Sequence, residues 1–206
     1  MKDIQRTQAA RTAATRDALI AAGRGLFGAH GYSEVATEAI VRAAGVSRGA
    51  LYHHFTDKAG LFAAVFEAVE AEVVGRIGAM IASAQAADPP PNPIDLMRLG
   101  ASAWLDACAE PAVYRIAILD ASSVLGWARW REISARYGMG VTGGLLTHAI
   151  EAGRVARQPV EPLAHVLLGA LRESTLYMAG AANRAEARRD VGAVLDRLIL
   201  SLEIGG

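Results

Sequence analysis

Apolar residues recur at every third or fourth position along most of the chain, and no stretch alternates as a half-buried strand does. The pattern predicts an all-α protein of about nine helices. The prolines of the segment 88–93 cannot continue a helix, because proline has no N–H to donate and clashes with the preceding turn. We therefore expect a loop there, and helices at about 15–29, 37–44, 47–54, 58–86, 94–109, 111–119, 123–152, 161–181 and 184–203.

Several helix ends carry recognisable signals. Gly31 and Gly45 follow apolar stripes at places where a left-handed residue can end a helix. Ser47 is placed to cap the third helix, since its hydroxyl can accept a hydrogen bond from a first-turn N–H. Thr56 or Asp57 should cap the long fourth helix in the same way. Residues 1–14, which precede the first predicted helix, are expected to form a flexible arm.

The segment 37–55 holds the most informative pattern, which reads TEAIVRAAGVSRGALYHHF. It predicts two short helices joined by a tight turn at Gly45. The spacing of four apolar residues lets them pack inward across that turn: Ile40, Val46, Leu51 and Phe55. Such a pair of helices is typical of the helix-turn-helix motif, whose second helix enters the DNA major groove by its N-terminal end.

The residues at that N-terminal end suit contact with DNA. Arg48 carries a planar fork of donors that can reach the O6 and N7 atoms of guanine. Gly49 and Ala50 are small enough to let the backbone approach, and Ala50 could contact a thymine methyl group. Further along, Tyr52 and His53 can donate to phosphate oxygens. Lys58, in the first turn of the next helix, is also expected to bind a phosphate.

Residues 16–62 resemble the N-terminal domain of TetR-family transcriptional regulators. The resemblance rests on an early R-x-x-L-I-x-A-x-x-x-F-x-x-x-G-Y pattern and on AAGVSRGALYHHFTDKAGLF. It implies a three-helix DNA-binding head, a connecting fourth helix, and a helical body that binds a small molecule and dimerises, with repression relieved by that ligand. Six residues match family positions that touch DNA: Thr37, Arg48, Ala50, Tyr52, His53 and Lys58. Ser47 and Gly49 complete the candidate DNA-binding set.

The chain departs from the family pattern at the start of helix 2. Many members have Ser or Thr at the position of Ala36 and an acidic residue at that of Ala39. We therefore expect Thr37 to supply the cap of this helix.

The expected domain organisation follows from the resemblance and the helix pattern. Residues 1–60 form the helix-turn-helix domain, residues 61–206 the ligand-binding and dimerisation domain, and helix 4 joins them. The apolar stripes of 161–181 and 184–203 are wide enough to pack within a subunit and against a second copy, which predicts a homodimer on a near-palindromic operator. Basic residues near the N-terminus could enter the minor groove, or this segment could be a disordered tail.

Composition narrows the class of protein. The 206 residues are 52% hydrophobic and 20% charged, which excludes a chain that is disordered as a whole or collagen-like. The net charge is zero, but residues 1–60 carry +3 and residues 61–206 carry −3. The single cysteine cannot form an intramolecular disulfide, and no secretory signal or run of about 17 or more apolar residues is seen. A cytoplasmic protein away from the membrane is expected.

The body of the chain holds all three tryptophans and several other large side chains on helical faces, which line either a plain core or a cavity for an apolar or aromatic effector. Cys108 is expected to be a buried small side chain rather than a nucleophile. The candidate ligand-binding residues are Trp104, Cys108, Tyr114, Trp127, Trp130, Tyr137, His148 and Tyr177.

An enzyme and a small-molecule-binding protein are the two other classes of function to compare with the sequence. No paired acids, Ser/His/Asp set, phosphate loop or HExxH motif has usable spacing, so we expect no enzyme and no cofactor. Adjacent helical residues point about 100° apart, so His53 and His54 are not expected to share a metal. A helical small-molecule-binding protein without DNA-binding activity is the alternative. It would leave the pattern from Ser47 to Lys58 unexplained.

Overall fold

A computed structural model of the chain describes the backbone of residues 2–204 and the side chains of residues 8–204. Within this part of the chain the predicted all-α fold is confirmed, with nine helices and no strand. The helices are α1 (Lys2–His30), α2 (Thr37–Ala43), α3 (Arg48–His54), α4 (Lys58–Gln85), α5 (Pro93–Ala109), α6 (111–125), α7 (Trp127–Glu151), α8 (Val160–Gly180) and α9 (Arg184–Leu200).

Helix α1 begins at Lys2 rather than near Thr15, so the predicted start of the first helix was wrong. The flexibility of the arm over residues 1–14 stays a prediction. Met1 and the side chains of residues 1–7, among them Arg6, lie outside the described part. The early start has a simple cause, because residues 2–14 contain no proline or glycine and are rich in good helix formers. The hydroxyls of Thr12 and Thr15 also donate back to carbonyls one turn earlier instead of capping a later start.

Helix α6 is longer than predicted, and the break that follows it comes later. It runs through Pro111–Val113, a π-helical stretch Tyr114–Asp120, and Ala121–Leu125. The hydroxyl of Ser123 donates to the Asp120 carbonyl, 2.9 Å away, and so does not start a new helix. The break falls instead at Gly126, whose φ of 75° is a left-handed conformation that favours glycine.

The chain packs as two compact units. The first comprises the residues up to Glu70 together with Glu110–Trp130, and the second comprises Ala71–Ala109 together with the residues from Arg131 onward. Helix α4 contributes residues to both. This division by packing does not coincide with the functional boundary after residue 60, which remains a prediction.

The first unit has an apolar core that joins α1 to the two short helices. Leu19 and Phe27 of α1 are fully buried, as are Ile40 of α2 and Leu51 of α3. Tyr32, in the loop after α1, packs its ring against those of Phe27 and Phe62, with centroids 5.8 and 5.3 Å away. The short helices, which could not be stable alone, are thereby held on a longer one.

The second unit is a layered helical body with two clusters of buried side chains. One cluster joins α5, α7, α8 and α9 through residues such as Met97, Leu146, Leu167 and Ile199. The other joins α5, α8 and α9 around Leu105, Met178 and Leu195. Among the described residues, no helix is both long and apolar enough to cross a membrane.

Candidate nucleic-acid interface

Helices α2 and α3 form a helix-turn-helix in the first unit, as the apolar spacing predicts. Gly45 ends α2 with a φ of 67°, a conformation that costs glycine little. Ile40, Leu51 and Phe55 are buried, whereas Val46 is half-buried. The turn therefore fixes the direction in which the outer face of α3 points.

The N-terminal end of α3 is capped and exposed. The Ala50 N–H donates to the Ser47 hydroxyl over 3.2 Å, which confirms the predicted cap. Ser47, Arg48 and Gly49 are exposed, and Ala50 is half-buried. Tyr52 is 44% exposed, one turn after Arg48. These residues form one open surface around the start of α3, as a helix that enters a groove end-on requires.

Thr37 does not cap α2, so that prediction was wrong. Ala36 occupies the N-cap position and offers no side-chain bond, and Thr37 is already the first helical residue. The Thr37 hydroxyl instead donates to the Glu38 carboxylate over 3.2 Å. An alanine N-cap leaves first-turn N–H groups open to other acceptors.

Arg48 has two neighbours on this surface. Its Nη1 atom lies 3.1 Å from Oε1 of Glu38, and its guanidinium lies over the Tyr52 ring, 5.6 Å from the centroid. The pKa of the Glu38 carboxyl is lowered by hydrogen bonds from its own backbone N–H and from Thr37, and further by the positive charge of Arg48. Glu38 is therefore a carboxylate at neutral pH.

Lys58 is the first residue of α4 and follows α3 closely in the sequence. Asp57 accepts a hydrogen bond of 2.7 Å from the Gly60 N–H, which confirms it as the cap of this helix. The Lys58 ammonium lies 4.1 Å from the centroid of the Tyr32 ring. Burial raises the pKa of Tyr32, and the nearby Asp57 carboxylate raises it further, so the ring stays a neutral phenol beneath the cation.

The two adjacent histidines differ in exposure. His53 is exposed near the end of α3, while His54 is half-buried with its ring 6.3 Å from that of Phe55. Among the described residues no group of three or more metal-binding side chains comes together. The His53 ring is thus open to solvent, whereas the His54 ring is partly covered and lies beside the rings of its two chain neighbours.

Two members of this surface were missed by the sequence analysis. Glu38 and Tyr32 contact the predicted DNA-binding cations, yet neither stands out by spacing, because the contacts arise from tertiary packing. A signal existed only for Glu38, whose position in the first turn of α2 favours an acidic residue through the helix dipole.

The eight candidate ligand-binding residues are divided between the two units. Tyr114, Trp127 and Trp130 belong to the first, where the two indole rings lie 4.9 Å apart with Trp130 buried and Trp127 61% exposed. The other five belong to the second unit: Trp104, Cys108, Tyr137, His148 and Tyr177.

Within the second unit these five residues have different surroundings. Cys108 is buried, Tyr137 is half-buried, and His148 and Tyr177 are exposed. Trp104 is half-buried, and its indole N–H is buried with no hydrogen-bond partner among the described residues. A surface pocket of about 610 Å³ in this unit is lined by His148, Gln85 and Arg154, among others, but by none of the other candidates. The set therefore does not line that pocket.

Comparison with known families gives two matches on this chain. Residues 19–65 match the family model described as bacterial regulatory proteins, tetR family. Residues 94–202 match a model described as the tetracyclin repressor-like C-terminal domain. The second match alone covers more than half of the chain.

The chain is also similar to individual regulators of known structure or sequence. A crystal structure of a TetR-family transcriptional regulator from Pectobacterium atrosepticum is 32% identical, with a TM-score of 0.81, and the match covers 95% of this chain and 97% of that one. RolR, crystallised with resorcinol, shares the fold at 17% identity, with a TM-score of 0.72 over 92% of this chain and 89% of RolR. The transcriptional regulator CymR of Pseudomonas putida is 39% identical over 88 residues, 43% of each chain. The chain thus spans less than half of that curated relative.

Proposed function

The chain belongs to the TetR family of bacterial transcriptional regulators, and from this premise we propose that it is a repressor that binds a near-palindromic operator as a homodimer and leaves it when a small effector binds. Membership of this family makes it a DNA-binding regulator and not an enzyme. Its work on DNA would be done in the cytoplasm.

The exposed start of α3 is the observation that carries the proposed DNA contact. Arg48 presents its donor fork on the open side of the motif, next to two small residues that let the backbone approach a base pair. Tyr52, His53 and Lys58 would bind phosphates and set the register. Ser47, before α3, and Thr37, at the start of α2, would contribute further contacts to the DNA backbone.

Exposed apolar side chains on α8 and α9 support the homodimer. Val166 and Tyr177 lie on one face of α8 and are 63% and 61% exposed. Val194 and Leu198 lie one turn apart on α9 and are 63% and 38% exposed. Large apolar side chains on neighbouring surface helices mark an interaction site, and a two-fold axis would pair the same face of two copies in a four-helix interface.

The second unit and the aromatic residues of the chain support a small apolar or aromatic effector. The unpartnered indole N–H of Trp104 would donate a hydrogen bond to a hydroxyl or carboxylate oxygen of a ligand. Resorcinol, the ligand crystallised with RolR, is a simple molecule of this chemistry and therefore a reasonable first probe.

A gel-shift experiment with the DNA upstream of the protein's own gene tests the DNA-binding function. We expect a retarded complex that survives an excess of random-sequence competitor, and in vitro transcription from that promoter that falls when the protein is added. Absence of any complex at micromolar protein would favour the alternative of a helical small-molecule-binding protein.

The release step is tested by thermodynamic linkage. A ligand shifts the DNA equilibrium only through different affinities for the DNA-bound and DNA-free states. If resorcinol or a related phenol lowers operator affinity, by roughly 5- to 150-fold, operator DNA must lower the affinity for that ligand by the same factor. Tryptophan fluorescence titrations with and without operator measure this, and equal ligand affinities in the two would contradict release by this route.

A further inference from the structure

Glu38 lies beside the principal base-reading candidate although it comes from the other helix of the motif. Its carboxylate is 3.1 Å from Nη1 of Arg48, and the Thr37 hydroxyl holds the second carboxylate oxygen. The Arg48 guanidinium also lies over the Tyr52 ring. Both contacts therefore favour one orientation of Arg48 before any DNA is bound.

The ion pair is exposed and so is easily opened. The side chains of Arg48 and Glu38 are 66% and 59% exposed, and exposed pairs of this kind contribute little to stability. The pair will accordingly give way where DNA offers Arg48 a stronger partner. The main effect of the ion pair is therefore on whether Arg48 binds a guanine edge or a phosphate.

A guanine edge and a phosphate differ in how they tolerate Glu38. A guanidinium has five N–H donors, so Arg48 can keep Nη1 on the carboxylate and still offer its other nitrogens to O6 and N7 of guanine. A phosphate carries a full negative charge, and bringing it to the same guanidinium places it close to the Glu38 carboxylate. The carboxylate therefore disfavours the phosphate contact more than the guanine contact.

We propose that Glu38 is a specificity-determining residue of the DNA interface, which orients the Arg48 fork toward a guanine and keeps it from neutralising a phosphate on random DNA. This inference rests on the proposed DNA-binding function. It assigns to an acidic residue of α2 a part in rejecting wrong sequences, in the way that repulsive elements commonly add specificity.

Two substitutions separate the charge of Glu38 from the presence of its side chain beside Arg48. Glu38→Gln removes the charge and keeps a side chain of the same size beside Arg48. This variant should bind a scrambled duplex roughly fivefold or more tightly than the wild type does, with a smaller change on a duplex selected by the wild-type protein. The salt dependence of binding to the scrambled duplex should steepen by about one phosphate contact for each copy of α3. Glu38→Ala also removes the side chain that lies beside Arg48, and selection from randomised duplexes should then show a weaker guanine preference at one position per half-site.

The matched control is Glu34→Gln, which removes the same charge from the exposed loop between α1 and α2. It should change the affinities for selected and scrambled duplexes by equal factors. In the Arg48→Ala background, Glu38→Gln should lose its effect on the salt dependence, because the effect acts through that arginine. Thermal melting of each variant checks that the fold is intact.

Three results would overturn the proposal. Equal gains on selected and scrambled DNA would reduce Glu38 to bulk charge. A loss of binding confined to selected DNA on Glu38→Gln would make Glu38 a direct base contact. An effect that persists in the Arg48→Ala background would exclude action through Arg48. Failure of the wild-type protein to bind any duplex would instead contradict the proposed function itself.

Discussion

Arg48 and Lys58 are both cations of the candidate interface, yet their surroundings predict different roles. Arg48 sits at the exposed start of α3 with its donor fork held by Glu38 and Tyr52. Lys58 is half-buried over the Tyr32 ring at the start of α4, where a single ammonium has no fork to match a base edge. Arg48 is suited to read a base, and Lys58 to bind a phosphate.

Alanine substitutions should separate these two roles. Arg48→Ala should cost about 1–3 kcal/mol of binding free energy on the selected duplex and relax the preference at one position per half-site. Lys58→Ala should weaken all sequences alike and flatten the salt dependence by about one phosphate contact for each Lys58 that contacts DNA. Binding isotherms at several salt concentrations measure both, and an equal effect of Arg48→Ala on selected and random duplexes would demote Arg48 to a phosphate contact.

The sequence predicts individual residues well where a local rule applies. Ser47 caps α3 and Asp57 caps α4 because each is a good acceptor three residues before an open N–H. Thr37 fails as a cap because the backbone already turns helical at its position, one residue after Ala36. Glu38 and Tyr32 could not be placed, since their contacts depend on how helices meet.

At the scale of the elements, a close approach joins α1 to α6. A Cβ atom built on Gly28 would lie 2.8 Å from the Cβ of Ala112, closer than real carbon atoms come. In the same helix, a Cβ on the exposed Gly25 would meet nothing within 4 Å. These two glycines of one helix therefore have opposite expected responses to substitution.

Gly28→Ala should destabilise the protein and Gly25→Ala should not. Overpacking costs about 1–3 kcal/mol, which exceeds the gain of about 0.5–1 kcal/mol from replacing a helical glycine. The gain should appear alone at Gly25, where nothing is crowded. Chemical denaturation of the two variants measures the difference, and equal stabilisation by both would show that α1 and α6 can move apart freely.

The C-terminal segment after α9 is tied to the second unit by a carboxylate. Glu203 accepts a hydrogen bond of 2.9 Å from the Asn92 amide and is paired with Arg154. The Asn92 bond first, and the Arg154 bond second, lower the pKa of the Glu203 carboxyl. A lowered pKa in the folded state adds stability at neutral pH that is lost as pH falls through that pKa.

Glu203→Gln should therefore lower the melting temperature most at neutral pH. The difference from the wild type should begin to shrink as pH falls below about 4, where the unfolded carboxyl becomes protonated while the folded one keeps its charge. Glu132→Gln, which breaks an exposed pair within α7, serves as control and should change little. A difference that stays constant across this pH range would show that the Glu203 charge does not hold the segment.

Periodicity predicts most helices because it reports burial directly, and it fails where a boundary depends on other forces. The continuation of α6 to residue 125 uses a π-helical stretch that no apolar pattern signals. The early start of α1 depends on helix propensity and not on an apolar stripe.

At the scale of the whole molecule, the apolar stripe of α9 is wider than one subunit can bury. Leu195 is buried in the second unit, whereas Val194 and Leu198 remain exposed. A pair of glutamates at the two exposed positions would thus test the proposed dimer without disturbing the core. A glutamate at Leu195 would disturb the core, because that side chain is buried.

Val194→Glu combined with Leu198→Glu should convert the dimer to a monomer, because two charges per copy would be buried at the interface. Leu200→Glu changes another exposed leucine that faces a different side of α9 and should leave the dimer intact. Sedimentation velocity at micromolar concentration distinguishes the species. A folded double variant that remains dimeric would place the interface elsewhere.

The ligand site is the part of the molecule that the sequence predicts least well. The aromatic side chains on helical faces predict a core or a cavity, yet they belong to two separately packed units. Their exposure ranges from buried Trp130 to open Trp127 and Tyr177. An apolar face signals burial but does not say against what, so a core, a cavity and an interface give the same pattern.

Sequence-specific recognition of duplex DNA is most directly measured as a ratio of two dissociation constants at one salt concentration. The wild-type protein is titrated onto a labelled duplex selected from a randomised pool and onto a scrambled duplex of the same length and composition. We expect the selected duplex to bind at least about a thousandfold more tightly. A ratio near one would contradict the assignment of residues 47–58 as a surface that reads DNA sequence.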